Sequence, residues 1–280
     1  MLISVRHITR HAYAEPVSYA IQSLRLTPAT FKGHRIVDWR VHVAGAGQPL
    51  QFRDGFGNLV HLITVGPHHN LTIDASGTVE TADSNGVVDG LADPSPPRIY
   101  LRDTPQTRPE PAIRELARCV AASDRLGGLH ALASAIRNGV DYMPGITDAH
   151  TNAAEALAEG KGVCQDHAHI FIAAARSLGI PARYVTGYLL LDKPAPATEA
   201  APATAHHAWA EAWVEDLGWV GFDVANRICP TDRYVRLAAG LDAKGAAPIS
   251  GSRRGGETER LDVSVEVRRH AVLQQQSAQQ

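Results

Sequence analysis

Cysteine is scarce in this sequence, and long apolar runs are missing from it. The 280 residues contain three cysteines, an odd number at wide spacing, which fits a reducing compartment better than a disulfide framework. No run of about 18 apolar residues could cross a membrane, and no basic-then-apolar N-terminal segment precedes a small-residue cleavage site. We therefore expect a cytoplasmic protein with no membrane partner. The cysteines are Cys119, Cys164 and Cys229.

The sequence also lacks a bias of charge. Its 27 basic and 29 acidic residues leave a formal net charge of −2, so no overall field attracts a polyanion and we expect no nucleic-acid partner. The content of hydrophobic residues, 44%, is that of a globular protein that can bury a core without disulfides. Composition leaves open whether the chain forms a homo-oligomer.

The first third of the chain has the pattern of an antiparallel β domain. Apolar and polar residues alternate in 36–43, and segments 59–65 and 70–80 are rich in β-branched and aliphatic residues. Between the first two, Asp54-Gly-Phe-Gly-Asn58 supplies the glycine and asparagine that a hairpin turn needs. Several short strands predict a sandwich-like domain at residues 1–95.

Prolines mark the end of this domain. Six of them lie between Asp89 and Pro111, and proline fits neither a helix interior nor a central strand. We predict a linker at residues 96–110. Beyond it, helical spacing comes first and strand-like segments follow, the last of them at 234–239 and 261–267, which argues for an α+β domain at 111–270.

Two segments offer no periodic face to bury. Residues 192–205 are mostly Ala, Pro and Thr, and we predict a mobile loop there. Residues 271–280 are predicted to be a disordered tail.

Cys164 stands at the start of a regular helical pattern. Five apolar residues recur after it at three- and four-residue steps, and Gly179 and Pro181 end the pattern. Gly160 and Gly162 keep the preceding chain in a loop. Free N–H groups and the positive end of the helix dipole favour an anion at the helix N-terminus, so Cys164 is a candidate thiolate nucleophile. The five residues are Ala168, Phe171, Ile172, Ala175 and Leu178.

Two further segments offer a base and an acid. Residues 205–214 alternate like a strand, and residues 218–223 follow after a short turn. Alternation puts His207 on one face of the first strand and Asp223 at the end of the second. A cysteine, a histidine and an aspartate are thus offered from three consecutive elements, and acyl transfer through a thioester needs such a set.

Four ordered motifs resemble the bacterial transglutaminase-like family. They are Gly162-Val-Cys164, Gly179-Ile-Pro-Ala-Arg-Tyr-Val-Thr-Gly-Tyr188, His207-Ala-Trp-Ala-Glu211 and Gly218-Trp-Val-Gly-Phe-Asp223. Segments 54–58 and 13–16 resemble the N-terminal β domain of that family. The resemblance implies a papain-like α+β core, with helices packed on an antiparallel sheet, and a triad of Cys164, His207 and Asp223. After Asp223 the chain has Val-Ala-Asn where the family commonly has Pro-Thr-Asn, a departure that concerns the loop rather than the carboxylate.

Other residues near these motifs have plainer interpretations. Only one of His206 and His207 can face Cys164 from a strand; the family's His-Ala-Trp pattern selects His207, so we expect His206 at the surface or a loop edge. Cys164, His167 and His169 could suggest a metal site, but position i+5 of a helix points away from position i, and we expect no metal there.

The remaining cysteines and the tryptophans of the motifs are predicted to pack in the core. Cys119 and Cys229 have no evident base beside them. Trp209, Trp213 and Trp219 could line a substrate groove, but core packing is the default for large aromatic residues.

The favoured function is a cysteine-dependent amide hydrolase that acts on a peptide or protein through a thioester and needs no cofactor. A transglutaminase, in which an amine resolves the thioester, would use the same triad. The predicted loop at 192–205 has few apolar anchors to keep water out, which favours hydrolysis. A non-catalytic binding module would be expected to lack a triad residue, and none is missing. Arylamine acetyltransferases typically carry Arg-Gly-Gly before the cysteine, where this chain has Lys161-Gly-Val.

Overall fold

The computed structural model describes residues 1–121, 123–192 and 206–270. Most of the predicted loop, residues 193–205, and the predicted tail, residues 271–280, lie outside them. The described α-helices are α1 (Pro111–Leu116), α2 (Arg125–Gly139), α3 (Ala153–Glu159) and α4 (Cys164–Ser177). The described strands are β1 (Leu2–Leu24), β2 (His34–Val43), β3 (Leu50–Arg53), β4 (Leu59–Val65), β5 (His68–Thr81), β6 (Val87–Val88), β7 (Asp141–Tyr142), β8 (Lys161–Gly162), β9 (Ala182–Leu189), β10 (His206–Val214), β11 (Gly218–Phe222), β12 (Tyr234–Gly240), β13 (Ile249–Gly255) and β14 (Glu259–Arg269).

The first sheet is organised around β1, a strand of 23 residues. The first half of β1 pairs with β5 and β14, and its second half pairs with β4 and β13; β2 and β3 form the edges. All these pairs are antiparallel. Leu24, Ile63 and Val65 share one buried core with Leu71 and Ile73. Because β4 and β5 thus face each other across a core, the sheet folds over itself, and the predicted sandwich-like antiparallel domain is confirmed.

The second sheet carries the helices. Its antiparallel strands run in the order β12-β9-β10-β11-β6, and α4 packs against β9 and β10 with α1, α2 and α3 around it. Phe171 and Ile172 of α4 share a core with Ala210 and Phe222 of the sheet. Helices on one face of an antiparallel sheet are the predicted α+β arrangement. Among the described residues, no helix combines the length and the apolar character needed to cross a bilayer.

The two sheets pack against each other through an apolar interface. Ile3 and Val5 of β1 contact a buried group that includes Tyr188 of β9 and Val235 of β12. Beside them, one ring nitrogen of His7 lies 2.9 Å from the Tyr188 hydroxyl. The N-terminal sheet therefore covers the back of the strands that carry the candidate site.

The C-terminal strands correct one part of the predicted domain division. Residues 111–270 were assigned to the second domain, but β13 and β14 pair with β1 in the first sheet. The segment 251–256, between the predicted strands at 234–239 and 261–267, lies mostly within a further strand, β13. Strand β1 can pair with other strands along both of its edges, and β13 and β14 occupy one of these edges. A strand pattern in the sequence does not reveal which sheet the strand will join. The boundaries before residue 111 stay a prediction.

The segment predicted as a linker, 96–110, contains no α-helix or strand but is firmly packed. Tyr100 and Thr107 are fully buried. Arg176 of α4 donates hydrogen bonds to the Tyr100 carbonyl oxygen at 2.8 Å and to the Thr107 hydroxyl at 2.7 Å. Two short 3-10 helices, Pro97–Leu101 and Pro105–Thr107, each begin at a proline, and α4 fixes the segment to the core.

Candidate active site

A pair of very short parallel strands positions the chain that leads into α4. Helix α3 ends at Gly160, whose φ of 67° lies in the left-handed region that glycine favours. Strand β8 then pairs with β7. The N–H groups of Asp141 and Met143 donate to the carbonyl oxygens of Gly160 and Gly162, each at 2.8 Å. Strand β7 is thereby held directly beside the entry to the helix.

Cys164 is the first residue of α4, where the sequence placed it. Asp166 caps this helix end, because its Oδ2 accepts hydrogen bonds from the Val163 N–H at 2.7 Å and from the Thr147 hydroxyl at 2.6 Å. The Cys164 thiol is partly exposed. The nucleophile candidate therefore sits on a fixed helix end with one side open.

Helix α4 is buried on all sides rather than on one face. Four of the five predicted apolar positions are fully buried: Ala168, Phe171, Ile172 and Ala175. The fifth, Leu178, is 40% exposed, so its predicted place in the core is wrong. The helix ends at Ser177, and the changed backbone of the cap residue turns Leu178 away from the helix face.

His207 lies between the other two predicted site residues. Its Nε2 donates to Asp223 Oδ2 at 2.6 Å, and the Cys164 side chain lies close enough to the ring to affect its pKa. Burial alone would lower the pKa of this imidazole, but the hydrogen bonds and the charges of Asp223 and Cys164 outweigh it and raise the pKa to about 10. An imidazole held in this way is a proton acceptor for the thiol.

Asp223 receives more support than its partner histidine alone. Its Oδ2 accepts hydrogen bonds from His207, from the Tyr234 hydroxyl at 2.7 Å and from the Asn226 side-chain amide at 2.7 Å. Burial would raise the pKa of the carboxyl group, but these donors and the charge of His207 lower it. The group therefore stays ionised in a buried position.

Sequence reasoning missed Tyr234 and gave no role to Asn226. Asn226 follows Asp223 by three residues, where the family's pattern also has asparagine, so the motif held a signal. Asp223 and Ile228 exchange two backbone hydrogen bonds of 2.8 and 3.2 Å, which close the loop despite its Val-Ala sequence. Tyr234 comes from β12, and only the pairing of β12 with β9 brings it to the site.

The structure thus brings Cys164, His207 and Asp223 together, and two family models match the same chain. The transglutaminase-like superfamily model matches residues 114–224, and the model of the bacterial transglutaminase-like N-terminal region matches residues 3–80. An uncharacterized protein of Mycobacterium leprae is 30% identical over 282 residues, which cover 95% of this chain and 98% of that protein. The chain belongs to the transglutaminase-like superfamily.

Other relatives of this transglutaminase-like protein agree with its fold. An uncharacterized protein of Mycobacterium tuberculosis is 31% identical over 297 residues, 94% of this chain and 91% of that protein. A crystal structure from Cytophaga hutchinsonii, named a "Putative Cysteine Protease", matches with a TM-score of 0.75 and 22% identity over 97% of this chain and 91% of that chain. At that identity the likeness shows the fold.

His206 is the first residue of β10 and is partly buried. It points to the opposite face of β10 from His207, and its Nε2 lies 2.9 Å from the Thr186 hydroxyl. The rings of His7 and Tyr188 lie beside it at 6.3 and 6.2 Å. Burial lowers the pKa of His206 to about 4. His206 thus lies at the loop edge of the strand, one of the two expected positions, and the N-terminal sheet covers part of that face.

The two histidines of α4 are engaged elsewhere in this transglutaminase-like protein. The ring nitrogens of His167 lie 2.8 Å from the Val163 carbonyl oxygen and 3.0 Å from the Val140 carbonyl oxygen. His169 Nε2 accepts a hydrogen bond from the Ala243 N–H at 3.1 Å. No group of three metal-ligating side chains occurs in the part of the chain that the structure describes.

The other cysteines differ from each other. Cys229 is partly buried against the main core, as predicted. Cys119 is exposed, so its predicted packing role is wrong; α1 ends before Cys119 and a 3-10 turn carries the thiol outward. Burial raises the pKa of both thiols.

The tryptophans of the motifs pack mainly in the core. Trp209 and Trp219 are buried, with 2% and 4% of their surface exposed. The Arg183 guanidinium lies 3.9 Å from the centre of the Trp219 ring, a cation–π contact. These side chains support the strands behind the site.

Proposed function

We propose that this protein is a cysteine-dependent amide hydrolase, a peptidase or amidase, with Cys164 as its nucleophile. The observation that carries the proposal is the place of His207, which is hydrogen-bonded to Asp223 and lies close to Cys164. An imidazole whose pKa is raised to about 10 keeps the proton it takes from the thiol. A thiolate–imidazolium pair at a helix N-terminus is the reactive form of such enzymes.

The reaction would run in two halves. The Cys164 thiolate attacks the amide carbonyl carbon, the C–S bond forms and the carbonyl electron pair moves to oxygen. The C–N bond then breaks as His207 gives its proton to the leaving amine, which leaves a thioester. Water attacks the thioester while His207 accepts a proton, and the acid leaves as the thiolate is restored. Asp223 keeps the imidazole oriented and stabilises its charged form.

The surroundings of the thiol favour water as the acyl acceptor. Cys164 is itself partly exposed, and Tyr142 and Met143, at the neighbouring β7, are 45% and 37% exposed. A transglutaminase must hold its thioester in a dry channel to favour an amine over water. The described residues around Cys164 leave it open on the side of β7, which supports hydrolysis.

The first experiment asks whether Cys164 forms a thioester. The purified protein is mixed with a library of peptide amides that includes benzyloxycarbonyl-Gln-Gly, quenched in acid and analysed by intact mass and peptide mapping. We expect an acyl adduct on Cys164 and none in Cys164→Ala. A folded wild-type protein that forms no adduct with any member would favour the non-catalytic binding module.

The second experiment separates hydrolysis from transamidation. An amide that acylates Cys164 is supplied together with the fluorescent amine dansylcadaverine at millimolar concentration, and free acid is compared with amine adduct. We expect free acid to dominate. A dominant amine adduct would replace the hydrolase with a transglutaminase.

A further inference from the structure

Tyr142 lies beside the entry to the cysteine helix, and its hydroxyl has no assigned task. Strands β7 and β8 pair Tyr142 with Gly162, two residues before Cys164. Within the part of the chain that the structure describes, the Tyr142 hydroxyl makes no hydrogen bond. The side chain is 45% exposed, so a bound substrate could reach it.

The Tyr142 ring rests on a rigid base. It stacks on the ring of His167, with centroids 6.3 Å apart and planes 26° apart. His167 is fully buried, and its two ring nitrogens face the carbonyl oxygens of Val163 and Val140 at 2.8 and 3.0 Å. One of these carbonyls directly precedes Cys164 and the other lies just before β7. The ring is therefore fixed relative to the thiol.

The Tyr142 hydroxyl is also close to the charges of the site. Burial raises the pKa of this phenol to about 12, and the charges of Cys164 and Asp223 add to the effect. The group therefore keeps its proton at neutral pH and can donate a hydrogen bond. A hydrogen-bond donor beside the thiol is available to the negative charge that develops on a substrate carbonyl.

An oxyanion hole binds the negative oxygen of the tetrahedral intermediate with two hydrogen-bond donors. The sequence identified only one of them, the N–H of Cys164. The N–H of Cys164 belongs to the first turn of α4, where N–H groups have no partner inside the helix. In the described residues it has no other acceptor. We propose that Tyr142 is the second donor of the oxyanion hole and binds, together with the Cys164 N–H, the oxygen of the tetrahedral intermediate. This role rests on the proposed function.

The test compares a reaction that forms an oxyanion with one that does not. With 4-nitrophenyl acetate, the Sγ–C bond forms, the carbonyl electrons move to oxygen, and their return expels 4-nitrophenolate. With iodoacetamide, the thiolate displaces iodide from a saturated carbon and no oxyanion forms. We expect Tyr142→Phe to slow the nitrophenolate burst by roughly 100-fold and to leave the alkylation rate of Cys164 unchanged.

The controls separate this role from its alternatives. Tyr19→Phe, a variant of a 48% exposed tyrosine on β1, should change neither rate. An unchanged burst in Tyr142→Phe would overturn the proposal, and so would an equal fall of both rates, since Tyr142 would then act through the thiol. A wild-type burst that persists in Cys164→Ala, or is absent altogether, would remove the proposed function itself, and the oxyanion role with it.

Discussion

Arg183 and Glu211 stand directly opposite each other in β9 and β10, and their side chains meet in the interior behind the site. Arg183 Nε donates to Glu211 Oε2 at 2.6 Å, and Arg236 of β12 donates to both oxygens of Glu211 at 2.8 and 3.1 Å. Burial would raise the pKa of Glu211, but the two guanidinium groups outweigh it and lower the pKa to about 2. One buried carboxylate thus joins three strands.

Glu211→Gln should destabilise the protein strongly. The glutamine side chain is neutral, so the buried Arg236 loses its carboxylate partner and Arg183 keeps only Asp93, at 2.6 Å. Removing one partner of a buried ion pair costs about 3–5 kcal/mol. We expect a fall of that size in the free energy of unfolding, measured by urea denaturation at pH 7.

The matched control is an exposed ion pair in the first sheet. Arg35 and Glu80 lie 2.6 Å apart, with 62% and 51% of their side chains exposed. Glu80→Gln should therefore cost less than about 1 kcal/mol. Equal losses in Glu80→Gln and Glu211→Gln would show that the buried network contributes no more than a surface pair.

Asp223→Asn should leave the fold intact and reduce turnover by orders of magnitude. The carboxylate accepts from His207, Tyr234 and Asn226 at once, and an amide would direct an N–H group at one of these donors. In serine proteases the same change costs about 10⁴-fold, because the imidazole takes the wrong tautomer. Circular dichroism checks the fold and a thioester-forming substrate measures the rate. Wild-type turnover in a folded variant would mean that another residue orients His207.

Cys164 should react first among the three thiols. Solvent exposure would favour alkylation of Cys119. However, partial desolvation raises the thiol pKa of Cys119 and of Cys229, which leaves less thiolate at either position. Only Cys164 combines a helix N-terminus with a hydrogen-bonded imidazole. Sub-stoichiometric iodoacetamide at pH 7, followed by peptide mapping, should label Cys164 before the others, and His207→Ala should remove that preference. First labelling of Cys119 would withdraw the basis for the site assignment.

Local signals in the sequence were enough to place the candidate nucleophile, Cys164, at the start of a helix. Glycines before Cys164, apolar residues at helical spacing after it, and Gly179 beyond them predicted a helix that the structure confirms as Cys164–Ser177. The strand β1 was missed although it organises the first sheet. Its buried positions include His7, Thr9 and His11, so the apolar alternation that marks a strand fades after Val5.

Features that depend on the packing of distant segments could not be predicted from the pattern. Tyr234 reaches Asp223 only because β12 pairs with β9. His206 is partly buried because the first sheet packs beside the far side of β10. A tyrosine and a histidine occur both at protein surfaces and in interiors, so the residue type alone does not predict the surroundings of Tyr234 or His206. The tertiary fold determines them.

Five histidines link stability to pH in two opposite directions. Burial lowers to about 4 the pKa of each of four: His7, His34, His169 and His206. Between pH 6.5 and pH 4 these histidines are protonated in the unfolded chain but stay neutral in the folded chain. The free energy of unfolding therefore decreases as the pH falls from 6.5 towards 4. His207 acts in reverse, because its pKa is raised to about 10. Its contribution is complete below pH 6.5 and is lost as pH rises towards 10.

The predicted loss of stability at acidic pH can be tested at His206. A pKa of about 4 in the folded chain against about 6.5 in the unfolded chain should cost roughly 2 kcal/mol between pH 7 and pH 5. We expect His206→Gln to reduce by that amount the difference in unfolding free energy between these two pH values, whatever its effect at pH 7, because glutamine binds no proton. The exposed His150 supplies the control, since His150→Gln should leave the difference unchanged. An unaltered pH dependence in His206→Gln would mean that His206 takes up its proton equally in both states, and the interface between the two sheets would then have to admit a charged imidazole.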